Sequence, residues 1–126
     1  MRRNTTPHEG EEQATLFKWA ELKSGKRPEL RLLFHIPNGG SRGKAEAAHF
    51  KAEGVKPGVP DLFLPVARGP YHGLFIEMKR QKGGKISEAQ KAWLEGLTMQ
   101  GFLAAVCYGW KDAAELIENY LDERGV

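Results

Sequence analysis

Two short apolar runs set the frame of this chain. Residues 61–66 (Asp-Leu-Phe-Leu-Pro-Val) and 74–79 (Leu-Phe-Ile-Glu-Met-Lys) flank the turn-forming stretch Arg68-Gly69-Pro70-Tyr71-His72-Gly73. Both read as β-strands, and so short a connection suits antiparallel neighbours. The stretch before them, Val55-Lys56-Pro57-Gly58-Val59-Pro60, holds two prolines and a glycine and cannot be regular structure. Whatever surrounds this pair must be built onto a sheet.

The surroundings alternate between helix and strand. A helix is expected over residues 11–23, with Leu16, Phe17, Trp19 and Ala20 as its apolar stripe, ended by Ser24-Gly25 before Pro28. Residues 30–35 read as a strand, 37–41 as a turn-rich loop and 44–53 as an alanine-rich helix. After the middle strands come a basic, glycine-containing loop (80–85), a helix (87–100), a strand (102–108) and a last helix (112–121) with Ala113, Leu116, Ile117 and Tyr120 on one face. The order α-β-α-β-β-α-β-α predicts an α/β layer with a mixed four-stranded sheet flanked by helices. One domain over residues 11–121 is expected, with a flexible segment 1–10 and a tail 122–126.

Composition narrows the class. With 126 residues, 40% hydrophobic and 28% charged, the chain is globular rather than disordered. No apolar run approaches the ~20 residues that span a bilayer. No secretion signal is visible behind Met1-Arg2-Arg3, so a cytoplasmic protein of a bacterial or phage-infected cell is expected, with no membrane partner. One cysteine, Cys107, excludes an internal disulfide or a thiolate zinc cage, and the four histidines are scattered. Nineteen basic against 16 acidic residues leave +3, with a pI near 9.1, which permits an anionic partner.

Charge placement is more informative than charge sum. Alternation puts Phe75, Glu77 and Lys79 on one strand face, and Leu74, Ile76 and Met78 on the other. Asp61, Phe63 and Pro65 likewise oppose Leu62, Leu64 and Val66. If the turn pairs the strands, Asp61 comes near Glu77 and Lys79. Two carboxylates converging with an ammonium supply what Mg²⁺ or Mn²⁺ and an attacking water need. A solvated Glu-x-Lys face and an Asp turn residue are the plain alternatives. The joint pattern, Pro60-Asp61 opening one strand and Glu77-x-Lys79 ending the next, is more specific than either part.

That pattern resembles the signature of the PD-(D/E)XK nuclease superfamily. Four blocks in order, Ile36-Pro37-Asn38-Gly39-Gly40, Gly54 to Leu62, Phe75 to Lys79 and Ser87 to Leu94, are similar to the VRR-Nuc (virus-type replication–repair nuclease) family, over residues 11–121. The resemblance implies a restriction-endonuclease-like core. It implies Asp61 and Glu77 as metal ligands, the Met78 carbonyl as a further ligand, and Lys79 orienting or deprotonating the attacking water. It also implies a glutamate on the first helix. Of Glu11 and Glu12, Glu12 flanks the centre of the apolar stripe at ~100° per residue, while Glu11 points away. A glutamate favoured by the helix dipole is the alternative for both. Gln90, in line with Trp93, Leu94 and Leu97, would lie beside the metal; equally, Ser87-x-x-Gln90 is a capping box.

The resemblance further implies a metal-dependent endonuclease acting as a homodimer on branched DNA such as four-way junctions. A two-fold substrate cut symmetrically needs two related sites. Asn38, Ser41, Arg42 and Lys44, together with Arg80, Lys82 and Lys85, are candidate contacts to a phosphodiester backbone. No nucleotide cofactor is expected: Gly39 to Lys44 fails as a P-loop, with three residues between Gly39 and Gly43 and Ala45 where Ser or Thr should follow. No zinc finger, zipper or paired aromatics for base stacking are visible. A non-catalytic DNA-binding scaffold and a sequence-specific duplex endonuclease are the rival readings.

Overall fold

The strand Leu74–Lys79 (β3) lies at the junction of the sheet, antiparallel to one neighbour and parallel to the other. In the computed structural model, which describes residues 7–37 and 44–126, Leu62–Leu64 (β2) pairs with β3 in the register Leu62↔Ile76, Phe63↔Phe75, Leu64↔Leu74. The connection between them is closed by mutual backbone hydrogen bonds between Arg68 and Tyr71. Phe34–His35 (β1) extends the sheet beyond β2, and Leu103–Tyr108 (β4) runs parallel to β3 on its other side, giving the order β1-β2-β3-β4.

The helices are Glu9–Lys23 (α1), Lys44–Ala52 (α2), Glu88–Met99 (α3) and Trp110–Leu121 (α4). The α/β class, the mixed four-stranded sheet and the element order match the expectation. Among the described residues no helix is long and apolar enough to cross a membrane.

The even-numbered residues of the middle strands form the main core. Leu62, Leu64, Leu74, Ile76 and Met78 are buried with Leu16 and Ala20 of α1 and Ala113, Ile117 and Tyr120 of α4. Each fully buried aliphatic side chain there contributes roughly 1.5–3 kcal/mol by leaving water. The one hydroxyl in that layer is satisfied: Tyr120 Oη donates to the Val66 carbonyl at 2.6 Å. Cys107 is core too, as its apolar setting suggested, and burial pushes its thiol up to about 12.

The opposite face carries an aromatic cluster. Phe63 stacks on Phe75 at 4.1 Å, Phe102 meets both edge-on, and Phe34 meets Phe63 edge-on from β1. The stack follows from the register, which sets Phe63 opposite Phe75 across β2 and β3. α3 packs over β4 beside this cluster, with Trp93, Leu94 and Leu97 half-buried.

The expected strand over 30–35 is corrected. Residues Pro28–Leu32 form a 3-10 helix, and only Phe34–His35 joins the sheet. Pro28 pre-sets the first helical φ, and the buried Leu30 and Leu33 sit three apart, a helical rather than alternating spacing. α1 starts at Glu9, two residues before the expected Glu11, so Gly10 is inside it. α4 starts at Trp110 instead of Asp112.

Candidate active site

Asp61 stands just before β2, and extending the β2–β3 register places it opposite Glu77. Its Oδ2 accepts the Met78 backbone N–H at 2.7 Å, and its carbonyl accepts the Ile36 N–H at 2.7 Å. His35 Nδ1 also meets that carbonyl, at 2.9 Å. Asp61 is thereby fixed at the point where the antiparallel ladder ends.

Glu77 is 2% exposed and faces Asp61, within hydrogen-bonding reach of its carboxyl. Burial, the Asp61 charge and that carboxyl contact push Glu77 up to about 8, with Lys79 opposing the rise and Glu9 adding to it. Two carboxyl groups pressed together, Glu77 buried and Asp61 half-buried, with one ammonium nearby, form a spot short of positive charge.

Lys79, 6% exposed, supplies that ammonium. Its Nζ stands 3.8 Å from Glu77 Oε2 and 3.7 Å from Glu9 Oε1. Its stem is covered by Gly84, where an added Cβ would come within 3.0 Å of Lys79 Cβ. Gln90 completes the group: Nε2 donates to Glu77 Oε2 at 3.1 Å. The same side chain closes a capping box, with Oε1 accepting the Ser87 N–H while the Gln90 backbone N–H donates to Ser87 Oγ. Gln90 thus touches Glu77 and caps its own helix at once.

The loop before β2 locks α3 in place. Gly58 has φ +88, and a Cβ there would lie 2.6 Å from the Ala89 carbonyl carbon. Only glycine allows this close approach, which holds the first turn of α3 and hence Gln90 over Glu77.

Glu12 departs from the expectation. It is 2% exposed, on the buried stripe with Leu16 and Ala20, but Oε1 accepts the Trp110 N–H at 3.0 Å and Oε2 accepts from Gln81 Nε2 at 2.8 Å. Both Glu12 oxygens are thus turned to Trp110 and Gln81 rather than to Asp61 and Glu77, and among the described residues no three His, Cys, Asp or Glu side chains cluster in a metal cage. The α1 glutamate that reaches the site is Glu9, three residues earlier on the same helical side. Starting the helix at Glu11 hid it; the run of acids at residues 9, 11 and 12, which suits a first helical turn, was the available signal.

The outlying basic candidates divide. Arg80 is half-buried, and Lys82 and Lys85 are exposed on the loop after β3. Lys44 opens α2. Asn38, Ser41 and Arg42 lie outside the described residues.

A mixed sheet with two carboxylates, a lysine and a glutamine gathered at the ends of its middle strands defines a nuclease-type α/β domain. The sequence profile of the VRR-NUC domain matches residues 7–111. The chain belongs to the VRR-NUC family. A solved structure described as a VRR_NUC domain protein is similar over 94% of this chain and 91% of its own, at 34% identity and a TM-score of 0.81. No curated protein matches the chain.

Proposed function

We propose that this chain is a divalent-metal-dependent endodeoxyribonuclease. The observation that carries the reading is the contact of half-buried Asp61 with buried Glu77, which is pushed up to about 8. Such a pair fits Mg²⁺ or Mn²⁺: hard oxygen donors, mutually repelling when ionised and relieved by a cation between them. Asp61 and Glu77 would hold the ion. The Met78 carbonyl would join them, since in an extended strand it points the same way as the N–H that Asp61 binds. When bound, the ion supplies charge to the phosphate and lowers the pKa of water.

The remaining work belongs to side chains. Lys79 Nζ is held near Glu77 to position the attacking water and to stabilise charge developing on phosphorus-bound oxygen. Glu9, on the other side of Lys79, keeps that ammonium from folding down onto Glu77 alone. Gln90 orients the Glu77 carboxylate and leaves the hydrogen-bonding of its other oxygen to the ion or a phosphate. Lys82 and Lys85, with Arg80 at the base of their loop, serve the backbone of DNA without reading sequence.

Branched DNA such as a four-way junction is the proposed substrate, cut by a homodimer. The recognisable surface is basic rather than base-reading, and symmetric cleavage requires two sites related by a two-fold axis. The test is a cleavage panel of single-strand, flap, splayed-arm, duplex and four-way DNA, run with Mg²⁺, Mn²⁺ or EDTA, alongside light scattering. Metal-dependent cutting of junctions by a dimer is expected. Cleavage at one duplex sequence only would favour a restriction-type enzyme, and binding without cleavage a scaffold.

A further inference from the structure

Three charged side chains are buried among the described residues: Glu77, Lys79 and Glu12. The catalytic reading uses the first two and leaves Glu12 without a task. Its surroundings are specific. One oxygen takes the first N–H of α4, at Trp110, and the other takes the Gln81 amide from the loop that leaves β3. Glu12 therefore ties together α1, α4 and the exit of the catalytic strand.

The tied parts are the ones that hold Lys79. The Lys79 carbonyl accepts the N–H of Gly109, the residue before Trp110, at 2.9 Å. Gly109 has φ +92, and a Cβ there would lie 2.7 Å from Gln81 Cγ, so the Gln81 side chain lies directly on it. Lys79 is thus gripped between the Gly109 turn and its own following loop. Glu12 accepts one hydrogen bond from each side of the grip.

We infer that Glu12 is a positioning residue for Lys79, acting through Gln81 and the Gly109–Trp110 turn rather than as a metal ligand. The functional part of this inference rests on the nuclease reading. A brace of this kind needs acceptor geometry, not charge. In Glu12→Gln the new Oε1 still accepts the Trp110 N–H, and Gln81 can rotate its amide to present oxygen to the new NH₂. A metal ligand has no such tolerance. Gln81→Met removes the other half of the brace while leaving Glu12 on Trp110.

The full-length chain is the material for the test. Three measurements are made on wild type, Glu12→Gln, Gln81→Met and Glu77→Gln: Mn²⁺ binding by calorimetry, kcat and KM on a labelled junction with Mg²⁺, and the Lys79 ε-carbon signal in lysine-labelled NMR spectra. Glu12→Gln is expected to match wild type in all three. Gln81→Met is expected to lower kcat about tenfold to a hundredfold, the scale of an ångström-level misplacement. Its KM and Mn²⁺ affinity should stay within about twofold, and its Lys79 signal should be displaced. Loss of Mn²⁺ affinity in Glu12→Gln equal to that in Glu77→Gln would overturn the inference and assign Glu12 to the metal. An unchanged kcat or an unchanged Lys79 signal in Gln81→Met would overturn it as well. If wild type cuts no DNA, the nuclease reading falls, and the Lys79 signal alone decides the brace.

Discussion

Gln90 holds Glu77 with one end of its amide and the start of its own helix with the other: Nε2 lies 3.1 Å from Glu77 Oε2, and Oε1 lies 2.9 Å from the Ser87 N–H. The two tasks can be separated. Ser87→Ala removes the cap and should cost about 1 kcal/mol of stability, with the cleavage rate of the folded protein kept. Gln90→Glu keeps the box, since glutamate closes it as well as glutamine, but sets a third carboxylate against Glu77. Its melting should stay close to wild type while cleavage drops. Equal activity in wild type and Gln90→Glu would show that the contact with Glu77 is idle.

The carboxylates are best tested with amides. Asp61→Asn retains an acceptor for the Met78 N–H, and Glu77→Gln retains the shape of a buried side chain. Both are expected to fold and to lose cleavage in Mg²⁺ and Mn²⁺ by about a hundredfold or more. Lys79→Met should lose a comparable factor, roughly 10²–10⁴, while holding Mn²⁺. Circular dichroism and calorimetry check folding and binding; a fully active Asp61→Asn or Glu77→Gln would remove the ligand assignment.

Glu77 makes stability depend on pH in a stated direction. Its folded value, about 8, lies above the ordinary 4.5. A group shifted upward stabilises the fold fully below its unfolded value, and that contribution is lost as pH rises through the folded value. The metal-free chain should therefore melt at a lower temperature near pH 9 than near pH 6, beyond the change seen in Glu77→Gln. Because a cation replaces the proton, Mg²⁺ should raise the melting temperature more near pH 9. Parallel melting curves for wild type and Glu77→Gln across this range would contradict the assignment.

Gly58→Ala strikes the site from outside it. The substitution forces a side chain into φ +88 and against the Ala89 backbone, 2.6 Å away. A left-handed residue plus overpacking should cost about 2–4 kcal/mol in urea unfolding. The first turn of α3 must give way, so cleavage should fall more than the folded fraction does. Gly54, also at positive φ (+96) but with nothing near its missing Cβ, is the control: Gly54→Ala should bring the strain alone.

The legible parts of this chain were those where one local rule suffices. β3 runs over residues 74–79 as read, because alternation and a turn before it leave no other choice. The meeting of Asp61 with Glu77 follows from the same alternation once the hairpin closes. The capping box at Ser87 was visible as four residues. What was missed depends on packing between elements. Leu30 and Leu33 fit a strand or a 3-10 turn, and the turn won because Pro28 starts it and both leucines reach the core together. Glu9 and Glu12 differ only in what lies opposite them: Lys79 for one, the start of α4 for the other. Nothing within α1 states that. The Phe63–Phe75 stack likewise exists only in the cross-strand register.

The single thiol of Cys107 sits across from Met78, one step from Lys79, in the β3–β4 ladder. Sealed from solvent on the core face with Met78, it is a native clock for the opening of that core. An alkylating reagent can consume it only during moments when the packed layer over it lifts from the sheet. The pace of that consumption, with and without Mg²⁺ or DNA, would time the core's breathing without any added label.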